Sequence, residues 1–477
     1  GSRLGIFRHG EYRGRVNSSS ETTPASEEPD EASMTAPSSG KKSGFKAFLG
    51  RHEFLSSVLK VISGTGVAQL VAIVAVLIVT HKVDPVDWGI YSAVYATAGF
   101  VIPVAALRYD MAIVLPRDDG EARAIFNLAT RINVIVSLLA TIIMVPLGGY
   151  LAGLLDAPAG TRWWMLAVGG FIFTYCQYNI ANFWANRRKQ FGVIGTNAVW
   201  KQTVAGAGRI GSAFAGLGAG GQIVAVILGQ MAGLNNFRRR LGKDVVEVKA
   251  ADIPTRTLMK RYRKMPLLTA PNAIVDAIRL QGIPWSMGIH YSGAAMGLFT
   301  MSWQLMQVPA AVINQAMSQV FYQKLSVTDA GHMFSMVRRS IVRSFLVGII
   351  PFGLLYLLVP PILPLLMGAS YRPVADLAVA LVPWLFLNFV TSPVSNLFIV
   401  TRNNGIALIF AIIYAVIPLT YLSRAHGAII HTVSMMSWMQ TGLLVCYIVL
   451  ALVVAWNFDR KHANDLQPIA EPDDSAK

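Results

Sequence analysis

The feature that most constrains this chain is a series of apolar runs, each about 20 residues long, separated by short polar breaks. A helix of that length spans about 30 Å, the thickness of the hydrocarbon core of a membrane. About twelve such runs can be counted, and they are continuously apolar, without the alternation of barrel strands. They cover residues 55–79, 88–115, 125–151, 163–184, 191–217, 222–241, 267–290, 296–320, 333–358, 375–400, 405–422 and 428–456. The pattern predicts an all-α polytopic membrane protein with about twelve transmembrane helices.

The composition and the distribution of charge support this class. Of the 477 residues, 54% are hydrophobic and only 14% are charged, and the mean hydropathy is +0.49. If the amino terminus is cytoplasmic, nearly all of the 41 Lys and Arg residues lie on the inner side or at inner helix ends. The exceptions are Lys82, Arg162, Arg372 and Arg424 on the outer side, and Arg108, Arg209 and Arg279 within spans. The net charge of +16 therefore reflects the topology, with both termini cytoplasmic, and does not indicate a nucleic-acid partner. The basic residues also give the protein some attraction to anionic membrane lipid.

Polar segments divide the chain into parts. Residues 1–50 are rich in Ser, Glu, Pro and Gly and are predicted to form a disordered cytoplasmic tail, because they cannot bury enough apolar surface to fold. Residues 242–265 form the longest internal polar segment and are predicted to be a cytoplasmic loop between two sets of six spans. We therefore expect an amino-terminal lobe over 51–241, a carboxyl-terminal lobe over 266–457 and a cytoplasmic tail over 458–477.

A weak internal repeat relates the second and eighth spans. The sequence Trp88-Gly89-Ile90-Tyr91 precedes Pro103 in one, and Met296-Gly297-Leu298-Phe299 precedes Pro309 in the other. Corresponding kinked helices in two halves are typical of transporters built from a duplicated unit. The repeat favours two pseudo-symmetric six-helix lobes.

Charged residues within the spans are the strongest candidates for a functional site. Asp276 and Arg279 lie three residues apart in the seventh span, with Asn272 one turn earlier on the same side. At about 1.5 Å per residue from Pro266, Arg279 lies about 20 Å into the membrane, where a charge costs at least about 2.5–3.5 kcal/mol. Two interpretations remain: Asp276 and Arg279 neutralise each other and join two helices, or Arg279 provides a cationic site in a translocation cavity.

Two further arginines lie within spans. Arg108 follows Pro103 in the second span, and it either extends toward the inner surface or contributes to the same cavity. Arg209 lies nearer the outer surface in the fifth span and is most simply an interfacial anchor.

Uncharged polar side chains form stripes on three spans. Such stripes either join helices by hydrogen bonds or line a wet cavity, where they would suit hydroxyl-rich ligands. The stripes are Tyr175, Tyr178, Asn179, Asn182 and Asn186 in the fourth span, Gln304, Gln307, Asn314, Gln315 and Gln319 in the eighth, and Asn388 with its polar neighbours in the tenth.

The sequence offers no sign of a catalytic or metal site. Cys176 and Cys446 both lie in apolar spans, and there is no CxxC motif, DxD pair or paired-histidine site. We therefore predict that the protein is not an enzyme and needs no metal or cofactor.

Four segments resemble a known family of transporters. ALRYDMAIVLP, YCQYNIANFWANRRKQF, RYRKMPLLTAPNAIVDAI and GLFTMSWQLMQVPAAVINQAMSQVFYQKLS are similar, in this order, to segments of Wzx-type polysaccharide exporters. These are flippases of O-antigen and exopolysaccharide repeat units in the multidrug/oligosaccharidyl-lipid/polysaccharide (MOP) superfamily. The similarity covers residues 55–456. Arg108, in its Arg-Tyr-Asp context, matches a charged position typical of the family's second helix, whereas Arg279 departs from the uncharged polar residues usual in the seventh.

The resemblance implies two six-helix lobes around a central cavity in the bacterial cytoplasmic membrane. It further implies transport of a polyprenyl-pyrophosphate-linked oligosaccharide from the cytoplasmic to the outer leaflet, in contact with a polysaccharide polymerase and chain-length machinery. A multidrug or cation antiporter of the same architecture is the main alternative, but it should carry unpaired acids in the membrane, and Asp110 and Asp276 each have an arginine nearby. A membrane polymerase or acyltransferase and a structural scaffold are weaker alternatives.

Overall fold

A computed structural model gives the architecture and describes residues 64–307, 332–394, 397–401 and 403–461. The predicted amino-terminal tail and most of the carboxyl-terminal tail lie outside the described residues, as do Asn314, Gln315 and Gln319. All the helices described below belong to one unit, Phe54–Lys477.

Helices occupy every predicted span in whole or in part, in the predicted order. They are α1 Gly64–Val79, α2 Pro85–Val101, α3 Tyr109–Ala112, α4 Asp119–Leu154, α5 Thr161–Trp164, α6 Ala167–Arg187, α7 Phe191–Phe214, α8 Gly218–Glu247, α9 Thr255–Arg261, α10 Ala270–His290, α11 293–307, α12 Met333–Leu366, α13 Pro373–Thr391, α14 Leu397–Val400, α15 Asn404–Leu422 and α16 Ile429–Lys461. The prediction of an all-α polytopic membrane protein is confirmed.

Five helices of the described part are long and apolar enough to cross a membrane: α4, α12, α13 with its short flanking turns, α15 and α16. Helices α7 and α10 are less apolar because they carry charged side chains, Lys201 and Arg209 on α7 and Asp276 and Arg279 on α10. Their polar residues are those that line cavities or contact neighbouring helices, as described below. The most apolar helices and these two cavity-lining helices therefore differ in composition.

Each half of the chain has an apolar core. One core lies mainly among α2, α4 and α6 and includes Trp88, Phe171 and Trp184. The other lies among α12, α13, α15 and α16 and includes Trp384 and Phe389.

The segment between the halves is more regular than the predicted loop over 242–265. Helix α8 continues to Glu247, and residues 255–261 form α9. The segment is fastened to the amino-terminal half by polar contacts: the Ala251 amide donates to the Gly120 carbonyl at 2.9 Å, and Arg261 pairs with Glu121. These partners are distant in sequence, so the polar composition of the segment alone could not predict that it packs against the amino-terminal half.

Helices α2 and α11 cross at glycines that occupy equivalent positions of the internal repeat. A Cβ atom on Gly89 would lie 2.0 Å from the carbonyl oxygen of Gly293, and one on Gly297 would lie 2.8 Å from the Gly89 nitrogen. Near this crossing, the hydroxyl oxygens of Ser92 and Thr300, which are also repeat equivalents, are 2.7 Å apart. Contact between equivalent residues is expected at a two-fold axis, so the crossing supports the pseudo-symmetry of the fold.

Replacement of Gly89 by alanine should strongly destabilise the fold. The added methyl group has no room beside the backbone of α11, and overpacking of this kind costs about 1–3 kcal/mol. We expect a lower thermal unfolding temperature in detergent and less folded protein on size exclusion. Gly149→Ala on α4 is the matched control, because no atom lies within 4 Å of the new methyl group. Equal stability of the two variants would contradict the close crossing.

Further contacts join the two halves at the end of the bundle where α2 and α11 begin, which we call the closed end. The Tyr371 hydroxyl donates to the Val83 carbonyl at 2.9 Å, and the Gly293 amide donates to the Leu155 carbonyl at 3.1 Å. The predicted topology places this end on the outer side of the membrane.

Candidate functional site

A cavity of about 490 Å³, which we call the central cavity, lies between helices of the two halves. Helices α1, α2, α6, α7 and α8 contribute one side and α10 and α11 the other. Its polar and aromatic lining residues are Gln69, Trp88, Tyr91, Ser92, Tyr95, Tyr175, Lys201, Gln202, Arg209, Gln230, Gln281, Thr300, Trp303, Gln304 and Gln307. The volume is within the range of about 300–1,000 Å³ typical of small-molecule sites.

The central cavity carries two basic side chains, Arg209 and Lys201. Arg209 is only 4% exposed, and its guanidinium lies 4.7 Å from the ring centroid of Tyr91 and 5.3 Å from that of Trp88. The Lys201 ammonium lies 4.3 Å from the ring centroid of Tyr178. Within the described residues, no carboxylate lines the cavity and neither base makes an ion pair. The cavity is therefore cationic.

The aromatic rings stabilise Arg209 without cancelling its charge. Burial of a charged side chain in a membrane costs at least about 2.5–3.5 kcal/mol, whereas each cation–π contact returns about 0.5–2 kcal/mol. Two rings therefore offset much of the cost, and the positive charge stays available to an anion. A carboxylate in their place would have neutralised it.

Close packing of α7 against α8 fixes the position of these bases. A Cβ atom on Gly229 of α8 would lie 2.6 Å from the Cβ of Ala205, so only a glycine allows this approach. The Arg209 carbonyl accepts hydrogen bonds from the Ser212 hydroxyl at 2.9 Å and from the Gln222 amide at 3.2 Å. Lys201, Ala205 and Arg209 follow one another at four-residue spacing, which places them on one face of α7.

The rest of the central cavity offers surfaces suited to sugars. Six glutamine amides line it, and each supplies two donors and an acceptor to hydroxyl groups. Aromatic faces lie beside them: Tyr95 and Tyr175 meet edge to face at 5.8 Å between centroids, and Trp303 packs on Trp384 at 4.4 Å. Two of the predicted site residues, Gln304 and Gln307, are among these amides.

A second cavity, of about 390 Å³, brings together three other predicted site residues: Arg108, Asn272 and Asp276. It lies between the end of α2 and the first half of α10, and it shares Leu280 and Gln281 with the central cavity. We call it the α2–α10 cavity.

The backbone at Arg108 has an unusual conformation. Leu107 and Arg108 have positive φ angles, 49° and 62°, which are uncommon for residues other than glycine. The Arg108 guanidinium donates to the Pro103 carbonyl at 3.3 Å, while its Nε is buried with no partner among the described residues. Strained backbone of this kind is concentrated at functional sites.

The structure places Arg279 between α10 and α15. Its guanidinium lies over the ring of Tyr414 on α15, 5.0 Å from the centroid, and it does not line the central cavity. The expected pair with Asp276 exists at 3.7 Å, but the Asp276 side chain is 62% exposed. Leu280 and Gln281 lie on the face of α10 that borders the two cavities, whereas Arg279 lies on a different face of the helix and points toward α15.

The other predicted residues are dispersed. Tyr178 is buried beneath Lys201, Asn179 is exposed, and the side-chain oxygen of Asn182 is buried without a partner among the described residues. The fourth-span stripe therefore does not face one cavity, although Tyr175 lines the central cavity. Asn388 is half-buried on α13 and lines neither of these two cavities.

The sequence alone does not indicate a binding role for Arg209 or Lys201. Arg209 was expected to be an interfacial anchor, but it is buried in the central cavity. The four-residue spacing of Lys201, Ala205 and Arg209 was the available signal, because it places both bases beside a small residue on one helix face.

The fold is similar to those of several solved transporters. An inward-facing multidrug resistance MATE family transporter of the MOP superfamily is 15% identical, over 87% of this chain and 96% of that chain, with a TM-score of 0.57. The lipid II flippase MurJ in an inward closed conformation is 12% identical, over 84% of this chain and 90% of that chain, with a TM-score of 0.67. A MOP superfamily transporter from Pyrococcus furiosus is 14% identical, over 86% of this chain and 96% of that chain, with a TM-score of 0.56.

These similarities define the class: the chain has the MOP fold of multi-pass membrane transporters. Residues 78–376, more than half of the chain, match the family described as polysaccharide biosynthesis protein. The chain belongs to that family. No curated protein sequence matches it significantly.

Proposed function

We propose that this protein is a flippase that moves a polyprenyl-pyrophosphate-linked oligosaccharide from the cytoplasmic to the outer leaflet of the bacterial cytoplasmic membrane. The unit serves the synthesis of a cell-surface polysaccharide such as O-antigen or exopolysaccharide. The family description and the fold support this class of transport, and a polysaccharide polymerase with its chain-length machinery would use the delivered unit.

The observation that carries the proposal is the charge of the central cavity. Arg209 and Lys201 lie on one face of α7 with no carboxylate among the lining residues of the described part. A diphosphate carries negative charge on oxygens that match the forked donors of a guanidinium. The cavity therefore favours an anionic substrate over a cationic one.

The three parts of such a substrate need different surfaces. Arg209 and Lys201 bind the diphosphate, while the glutamine amides and aromatic rings of the central cavity replace water around the sugar hydroxyls. Arg108, in the α2–α10 cavity, provides a further positive charge to an entering diphosphate. The polyprenyl tail stays in the lipid during transport.

Reconstitution of the purified chain in liposomes tests the proposal. A polyprenyl-diphosphate-linked saccharide in the inner leaflet should become accessible to an impermeant lectin faster in these vesicles than in protein-free vesicles. The same saccharide on a polyprenyl monophosphate is the matched substrate, and it should move more slowly because it offers fewer phosphate oxygens to the bases.

Uptake of a cationic dye, measured in the same vesicles, separates the flippase from a multidrug or cation antiporter. The cationic cavity should repel the dye, so no uptake above that of protein-free vesicles is expected. Dye uptake driven by an ion gradient, without movement of the lipid-linked saccharide, would overturn the proposal.

A further inference from the structure

A second cationic site lies on the periphery of the helix bundle, away from the central cavity. It is a groove of about 550 Å³ between α7 and α8, which we call the α7–α8 groove. It shares no lining residue with the central cavity and lies on the other side of α7. Its lining residues are Thr196, Val199, Trp200, Thr203, Ala232, Asn235, Asn236, Arg239 and Arg240.

The exposed face of α8 changes from apolar to polar at the groove. Val224, Leu228 and Met231 are each about half exposed and follow one another at helical spacing. The same face continues with Asn235 and Arg239, both exposed and both in the groove. An exposed apolar face of a transmembrane bundle contacts acyl chains, so the change of polarity marks the level of the lipid headgroups.

An aromatic residue at the same level supports this position. Trp200 lines the groove from α7 and is 51% exposed. Exposed tryptophans are enriched at the membrane–water interface, where the ring contacts the acyl boundary and the indole N–H reaches polar groups.

The charge of the groove is positive and uncompensated. Arg239 and Arg240 are exposed, and neither forms an ion pair within the described residues. Asp244, one turn further along α8, is paired with Arg188 at 2.8 Å. Arg240 is oriented by its hydrogen bond to the Asn236 side-chain oxygen at 3.3 Å.

We propose that the α7–α8 groove binds the headgroup phosphate of an anionic phospholipid. Arg239 and Arg240 contact the phosphate, Trp200 packs against the glycerol region, and the acyl chains follow the apolar face of α8. Basic pockets between helices at the membrane surface are typical sites for anionic headgroups. The apolar face beside the arginines favours a lipid over free phosphate, which would gain nothing from it.

Thermal unfolding of the purified chain with added lipid tests this site. Phosphatidylglycerol should raise the unfolding temperature more than phosphatidylcholine does. Arg239→Gln/Arg240→Gln should lose most of this difference, whereas Arg239→Lys/Arg240→Lys should keep much of it because both charges remain. Native mass spectrometry should show fewer bound phosphatidylglycerol molecules on the glutamine variant.

Arg238→Gln/Lys243→Gln is the matched control. It removes two positive charges from the same stretch of α8, and both residues are exposed but do not line the groove. The control should keep the response to phosphatidylglycerol. Equal losses in the two double glutamine variants would show general charge attraction and overturn the site, as would an equal stabilisation by phosphatidylcholine. Stabilisation by inorganic phosphate alone would show a phosphate site and not a lipid site.

Discussion

Export of the lipid-linked unit should fall about ten- to hundred-fold when Arg209 is replaced by glutamine, with little loss of folded protein. Hydrogen bonds to charged groups contribute about 1.5–3 kcal/mol, and each 1.4 kcal/mol corresponds to about a tenfold change. Glutamine keeps a polar side chain in the cavity. Because Arg209 forms no ion pair within the described residues, its removal leaves no carboxylate without a counter-charge. The measurement is export in cells that lack their own exporter, divided by the amount of folded protein in the membrane.

Arg279→Gln is the matched control for Arg209→Gln. Both guanidinium groups lie over tyrosine rings, but Arg209 is buried and lines the central cavity, whereas Arg279 is partly buried and does not line it. The pair of Arg279 with the exposed Asp276 is of the kind that contributes about 0–1 kcal/mol, so this variant should export nearly as well as wild type per folded molecule. Arg209→Lys should keep partial export, since the charge remains without the forked geometry. Equal losses in Arg209→Gln and Arg279→Gln would contradict the assignment of the diphosphate site.

The helical fold was predictable because membrane insertion leaves few alternatives. A continuously apolar run of about 20 residues must satisfy its own backbone hydrogen bonds, and a helix does so within the run. The spans therefore agree with the helices even where polar residues interrupt them, as in α7 and α10.

The neighbours that individual side chains contact were less predictable from the sequence. A count of 1.5 Å per residue gives depth along the helix axis, but not the neighbour that a side chain meets. Arg279 is deep, yet it lies on the face of α10 that contacts α15, while Gln281, two residues on, lines both cavities. The position of Arg209 in its span suggests an interfacial anchor, yet Arg209 is buried against Trp88 and Tyr91, more than 100 residues earlier in the chain.

The break in the second span shows a similar limit. Pro103 predicts a kink, and the structure has one: α2 ends at Val101 and a short 3-10 turn follows. Leu107 and Arg108, which have left-handed backbone conformations, extend the break further. The sequence does not indicate this conformation, because neither residue is a glycine or asparagine, the residues that adopt it most readily. Such strain persists only where surrounding contacts impose it, and a single sequence does not display those contacts.

The position of the Gly89–Gly297 crossing has a consequence for transport. The crossing, the Ser92–Thr300 hydrogen bond and the contact of Tyr371 with Val83 all hold the two halves together at the closed end. Release of a bulky sugar toward that side requires these contacts to separate, because the glycines leave no space between α2 and α11. Rocking of the halves about the central cavity is therefore the motion that the proposed function requires.

A disulfide between positions 92 and 300 should stop transport reversibly. The two hydroxyl oxygens are 2.7 Å apart, so cysteines there can approach the sulfur–sulfur distance of about 2.05 Å. We expect Ser92→Cys/Thr300→Cys, in a background without Cys176 and Cys446, to lose both free thiols on mild oxidation. Transport of the lipid-linked saccharide by the reconstituted, oxidised variant should then fall to the level of protein-free vesicles, and a reductant should restore it.

The single variants Ser92→Cys and Thr300→Cys are the controls, since each changes the cavity lining without joining the halves. Both should export in oxidant as well as in reductant, which separates the effect of the cross-link from that of the lost hydrogen bond. The reversible loss has a direct physical cause: a covalent bond costs far more to break than the contacts of the closed end, so the halves cannot part. If the cross-linked protein still exported at the rate of its reduced form, separation of α2 and α11 would not be a step of transport.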